Sequence, residues 1–114
     1  HLVGQQLLSM ASAHGFKLGT WVRNARSSSA EVDFVIIWRG RMIPIEVKAG
    51  KTGTLKSLLL FMEECDHDLA VRVYDGQTKW ETLTTPSGKQ FRLLNLNLGL
   101  NTQLISYLEP AIEV

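Results

Sequence analysis

Glu31-Val32-Asp33-Phe34-Val35-Ile36-Ile37-Trp38, then Arg39-Gly40, then Arg41-Met42-Ile43-Pro44-Ile45-Glu46-Val47-Lys48: this stretch decides the fold. Both arms are rich in Val, Ile and aromatic residues, as strands are, and Arg39-Gly40 reads as a two-residue turn. Symmetric pairing about the turn sets Phe34 against Ile45, Ile36 against Ile43 and Val32 against Val47. That makes one face wholly apolar. On the other face Ile37 meets Met42, Val35 meets Pro44, Asp33 meets Glu46 and Glu31 meets Lys48. A slip of one residue would scramble this segregation, so the register is well specified.

The pairing opposes two carboxylates. Cβ atoms in such a pair lie about 4.5–5.5 Å apart, where like charges repel. Lys48 stands two residues beyond Glu46 on the same face. Three arrangements offset the repulsion: Lys48 alone neutralises the pair, one carboxylate keeps its proton, or a divalent cation sits between them. Carboxylate oxygens suit Mg²⁺ or Mn²⁺.

Outward from the hairpin, Val3, Leu7, Met10, Ala11 and His14 recur at helical spacing, with Gly15 placed to end that helix. Phe16 to Val22 reads as a strand and Asn24 to Ala30, rich in Ser and Arg, as a loop. After Gly50–Gly53, Thr54 can cap a helix whose stripe is Leu55, Leu58, Leu59 and Met62. Leu69 to Tyr74, Trp80 to Leu83 and Phe91 to Leu96 read as strands. Leu100 to Leu108 reads as a terminal helix ended by Pro110. The expected fold is a mixed α/β domain, a central sheet flanked by helices.

The chain has 114 residues, 45% hydrophobic and 20% charged, which suits one globular domain and excludes a disordered tail. No uninterrupted apolar run is longer than Leu58 to Met62, which is too short to cross a bilayer, and no signal peptide is visible. One cysteine, Cys65, excludes a disulfide scaffold and fits a reducing compartment, here expected to be the cytoplasm. The first residue is His1, so the sequence reads as a piece of a longer protein. Lys17 to Lys56 holds eight basic and three acidic residues; Ser57 to Val114 holds four basic and eight acidic. The basic half suggests an anionic partner such as nucleic acid, against the plainer reading of a solvated face.

Asp33 followed by Glu46-Val47-Lys48 after a short hairpin resembles the PD-(D/E)xK nuclease superfamily. The longer run is more specific: Trp21-Val22-Arg23, Ser27 to Ile36, and Ile43-Pro44-Ile45-Glu46-Val47-Lys48-Ala49-Gly50-Lys51-Thr52-Gly53-Thr54-Leu55-Lys56-Ser57-Leu58. It is similar to the nuclease-like C-terminal domain of bacterial and archaeal AAA-type ATPases, as is Val3-Gly4-Gln5-Gln6-Leu7-Leu8 to its first helix. The resemblance covers roughly the first 60 residues. It implies a restriction-endonuclease-like αβββαβ core and metal-dependent cleavage of DNA phosphodiesters by a domain attached to an ATPase.

The resemblance also implies roles. Asp33 and Glu46 would hold Mg²⁺ or Mn²⁺, with the Val47 carbonyl as a third oxygen. Lys48 would position or polarise the attacking water and stabilise the charged transition state. A further acidic residue of the family's first helix would fall just before His1, and Gln5 and Gln6 cannot replace its charge. That departure motivates the alternative: a nuclease fold without turnover that binds nucleic acid or a partner and regulates the ATPase. Arg23, Arg26, Lys51 and Lys56 could receive DNA phosphates, or could simply be solvated.

Other signals carry less. Gly50-Lys51-Thr52 fails the phosphate-loop pattern because Ile45 stands where its first Gly is required. Cys65-Asp66-His67-Asp68 lacks the spacing to converge on zinc. Trp21, Trp38 and Trp80 could stack on bases, but packing is the simpler use.

Overall fold

A computed structural model of the chain describes residues 2–24, 29–48 and 55–112. The elements run α1 (Leu2–His14), β1 (Lys17–Asn24), β2 (Ser29–Trp38), β3 (Arg41–Lys48), α2 (Lys56–Glu64), β4 (Leu69–Tyr74), β5 (Lys79–Thr84), β6 (Gln90–Asn97), a 3-10 segment (Leu98–Gln103) and α3 (Leu104–Ile112). The six strands form one mixed sheet in the order β1-β2-β3-β4-β6-β5. β3, β4 and β6 are parallel neighbours, and the remaining pairs are antiparallel. The chain is therefore mixed α/β, as its patterning predicts.

Strand alternation gives the sheet two apolar faces. Phe34, Ile36 and Trp38 of β2 and Ile43, Ile45 and Val47 of β3 turn to one side, with Val71, Val73, Leu94 and Leu96. There they meet Val3, Leu7 and Met10 of α1 and Leu104, Ile105 and Leu108 of α3. On the other side Leu58, Phe61 and Met62 of α2 cover Val32, Val35, Ala70, Phe91 and Leu93. The α2 stripe thus includes Phe61, while Leu55 and Leu59 flank it half-buried. Thr54, expected to cap α2, lies outside the described residues.

The hairpin turn forms as expected. Arg39 and Gly40 both take positive φ, 49° and 75°, the mirror-image turn that matches strand twist and favours Gly. The rungs Phe34–Ile45, Val35–Pro44, Ile36–Ile43 and Ile37–Met42 are all present. Pro44 is buried in an interior strand, a position that usually excludes proline. It is tolerated because β4 begins to pair with β3 only at Ile45, so the missing N–H falls before the first parallel rung.

Two expectations are corrected. The rungs Asp33–Glu46, Val32–Val47 and Glu31–Lys48 do not form, because the β2–β3 ladder stops at Phe34–Ile45. The cause is a bulge. Against β1, Gly19 pairs with Val35 and Trp21 with Val32, so β2 carries one extra residue there. The bulge moves Val32 off the α1 face and under α2. The terminal helix is also displaced: Pro110 lies inside α3, which runs on to Ile112. Proline forfeits its backbone donor and crowds the carbonyl one turn back, yet α3 continues two residues past it.

Candidate functional site

The bulge builds the site. Where β2 leaves the ladder, Val47 keeps its β4 neighbour Val73 but has no rung on β2, and its N–H donates instead to Asp33 Oδ2 at 2.8 Å. A strand residue's N–H and C=O point the same way. The Val47 carbonyl therefore also faces the gap left by β2, with no rung to occupy it. The Asp33 carboxylate and the Val47 carbonyl thus lie at one end of the sheet, and Glu46 is the residue just before Val47 in β3.

Glu46 and Lys48 alternate with Ile45 and Val47, so both lie on the α2 face. They pair in register with Arg72 and Tyr74 of β4. This is the carboxyl end of the parallel strands, where α/β sheets place their ligands. Both residues are half-buried, and Glu46 Oε2 is shielded from solvent. The donor set is all hard oxygen: two carboxylates and a carbonyl, which fits Mg²⁺ or Mn²⁺ with waters completing the shell. Among the described residues no group of three or more His, Cys, Asp or Glu side chains is poised for a metal.

The expected phosphate contacts divide. Lys56 opens α2 and is exposed. Arg23 lies on β1, but its side chain lies outside the described residues, as do Arg26 and Lys51. The structure thus joins Asp33 to Val47 by a hydrogen bond and places Glu46 and Lys48 on either side of Val47 in β3.

Sequence reasoning missed the next row of the sheet. Arg72 Nε donates to Asn95 Oδ1 at 2.7 Å, and its Nη2 to Glu81 Oε1 at 3.3 Å. Asn95, fully buried, donates to the same Glu81 oxygen at 2.8 Å. The guanidinium lies 5.4 Å from the centroid of the Tyr74 ring. The signal was present: Arg72 interrupts the run Leu-Ala-Val-Arg-Val-Tyr, and Asn95 the run Leu-Leu-Asn-Leu.

The Cys65–Asp68 run is structural among the described contacts. His67 Nδ1 accepts from the Leu69 N–H at 3.1 Å, so Nε2–H donates to the Met42 carbonyl at 2.6 Å. Asp68 pairs with Arg92 at 3.0 Å, and the hydrogen bonds from that guanidinium hold its carboxyl below the usual range. Burial raises the Cys65 thiol pKa, but hydrogen bonding with His67 and the nearby Lys89 charge outweigh it and leave the thiol lowered. Trp38 is buried, and Trp21 packs edge-on against Phe61 at 5.2 Å.

A family model described as "Domain of unknown function (DUF4143)" matches residues 1–104. The chain belongs to the DUF4143 family. No curated protein matches this DUF4143 chain. Among its described residues no helix is long and apolar enough to cross a membrane.

Proposed function

We propose that this DUF4143 domain is a metal-dependent DNA endonuclease domain of the PD-(D/E)xK type. In this reading it has a restriction-endonuclease-like core and works in the cytoplasm, attached to an AAA-type ATPase. The observation that carries the reading is the Asp33–Val47 hydrogen bond at the β2 bulge. It sets a carboxylate and a carbonyl beside Glu46, two residues before Lys48. The element order α1-β1-β2-β3-α2-β4 supports it, being the order that the resemblance implies.

Asp33, Glu46 and the Val47 carbonyl would hold the metal ion. A bound Mg²⁺ or Mn²⁺ supplies a polarised water and offsets charge at the phosphate. Lys48 brings a compact ammonium group to the same face, where it orients the attacking water and stabilises charge growing on phosphate oxygens. Lys56, with Arg23, Arg26 and Lys51, receives the flanking phosphates.

A second reading keeps the fold and drops turnover: a nucleic-acid or partner-binding module that regulates the ATPase. One observation favours it, since one Asp33 oxygen is already engaged by the Val47 amide. One experiment separates them. Plasmid DNA is incubated with the intact protein, Asp33→Asn and Lys48→Met in Mg²⁺ or Mn²⁺. The nuclease reading expects cleavage by the first alone. DNA binding without cleavage supports the module, and equal cleavage by all three removes the nuclease.

A further inference from the structure

We infer that Arg72 is a phosphate-binding residue of this site, presenting its guanidinium to an anionic oxygen of the DNA backbone beside Glu46 and Lys48. The inference rests on the nuclease reading and extends it to a residue outside the motif.

Position comes first. On the α2 face of β4, Ala70 is buried under α2, and Arg72 is the next residue outward. It stands in register with Glu46 on one side and Asn95 on the other, at the carboxyl ends of three parallel strands. Ala70 and Leu93 thus precede Arg72 and Asn95 on this face, with Glu81 beside Leu93, and the Arg72 row itself is polar.

Orientation comes second. The Arg72 side chain is 13% exposed, yet it is held at several points: Asn95 takes Nε, Glu81 takes Nη2, and the Tyr74 ring lies alongside. Nη1 makes no hydrogen bond to a described residue. Gly76 permits the arrangement, because a Cβ there would lie 2.6 Å from the Tyr74 ring. A guanidinium fixed in this way loses little further freedom on binding, and its fork matches phosphate geometry. A buried ion pair generally gains little over apolar residues of the same volume.

Charge sets the condition for binding. Asp33, Glu46 and Glu81 are matched by Lys48, Arg72 and Lys79, which stands in register with Asn95, so these groups carry no formal excess of positive charge to attract a phosphodiester. A divalent cation held by the carboxylates makes the row net positive and so strengthens its hold on a phosphodiester. The Arg72 contact should therefore depend on metal, whereas contacts from Lys56 and the other outlying cations should not.

The test uses the full-length protein, a labelled DNA duplex and Ca²⁺, with binding read by fluorescence anisotropy. Arg72→Lys keeps the charge and loses the fork. It should weaken binding about 10-fold or more in Ca²⁺, as expected for a lost charge-assisted hydrogen bond. In EDTA it should change binding less than about 2-fold. An equal effect in both media, or none, overturns the inference. Should the variant fail to fold, the unmodified protein still decides: the Arg72 Nε–H resonance must shift when duplex is added in Ca²⁺, and a silent resonance overturns the inference. The two ideas fail separately. Asp33-dependent cleavage with a silent Arg72 leaves the nuclease reading standing alone. A responsive Arg72 without cleavage leaves a phosphate-binding module.

Discussion

Asp33 is asked to do two things, and two substitutions separate them. Its Oδ2 accepts the Val47 N–H at 2.8 Å in a partly buried setting. Asp33→Ala leaves that amide without its acceptor. A hydrogen bond to a charged group is worth about 1.5–3 kcal/mol, and partial access of water at this half-buried site favours the lower end, about 1.5–2 kcal/mol. At roughly 4 °C per kcal/mol for a domain of this size, Tm should fall by about 6–8 °C. Asp33→Asn keeps an oxygen in place and loses only the charge, so the cost should be about half, with a fall of about 3–4 °C. Cleavage should respond differently. Both variants remove an anionic metal ligand and should lose about 100-fold or more in Mg²⁺. Thermal melting by circular dichroism without metal and plasmid nicking with Mg²⁺ read the two effects independently. An Asn variant as unstable as the Ala variant would refute the role of the hydrogen bond. An Asn variant that nicks like the parent would refute the ligand.

Lys48→Met should abolish nicking while moving stability by less than about 0.5 kcal/mol in urea titration, because Lys48 is only half-buried at the sheet end. Leu58→Ala, at a fully buried position under α2, should cost about 2–5 kcal/mol by the same titration with an unchanged m-value. Glu63 accepts hydrogen bonds from Ser87 and Thr85, whose hydroxyls lower its pKa below the ordinary 4.5. A lowered folded pKa means the folded state binds fewer protons, so this stabilisation is present above pH 4.5 and lost as pH falls through the folded value. Glu63→Gln should therefore be less stable than the parent at neutral pH, and urea midpoints should converge in acid.

The hairpin was legible because its information is local. Two runs rich in β-branched and aromatic residues, Phe34 to Trp38 and Met42 to Ile45, on either side of a turn dipeptide fix four rungs without reference to the rest of the chain. The same holds for β4, whose bounds, Leu69–Tyr74, follow from composition and turn residues alone. The Arg72 row was not legible, because it depends on which strands become neighbours. β6 inserts between β4 and β5, and only that order carries Asn95 to Arg72 and leaves Glu81 within reach of both. Sequence separations of 23 and 14 residues give no hint of such contacts.

The bulge was illegible for a different reason, and it matters more. A regular ladder would have set Asp33 against Glu46 and spent both backbone groups of Val47 on β2. The carboxylates would then repel across a closed rung, with no carbonyl for a metal. One extra residue in β2 changes this. Val32 goes to the α2 core, where it is buried, and that burial helps offset the lost rungs. The Val47 N–H then recruits Asp33, and the Val47 carbonyl is released into the gap. Perfect alternation would have been the better β-hairpin and the poorer site. On the proposed reading, this departure from the simplest pattern is what frees the metal-binding oxygens, and the packing of Val32 under α2 holds it in place.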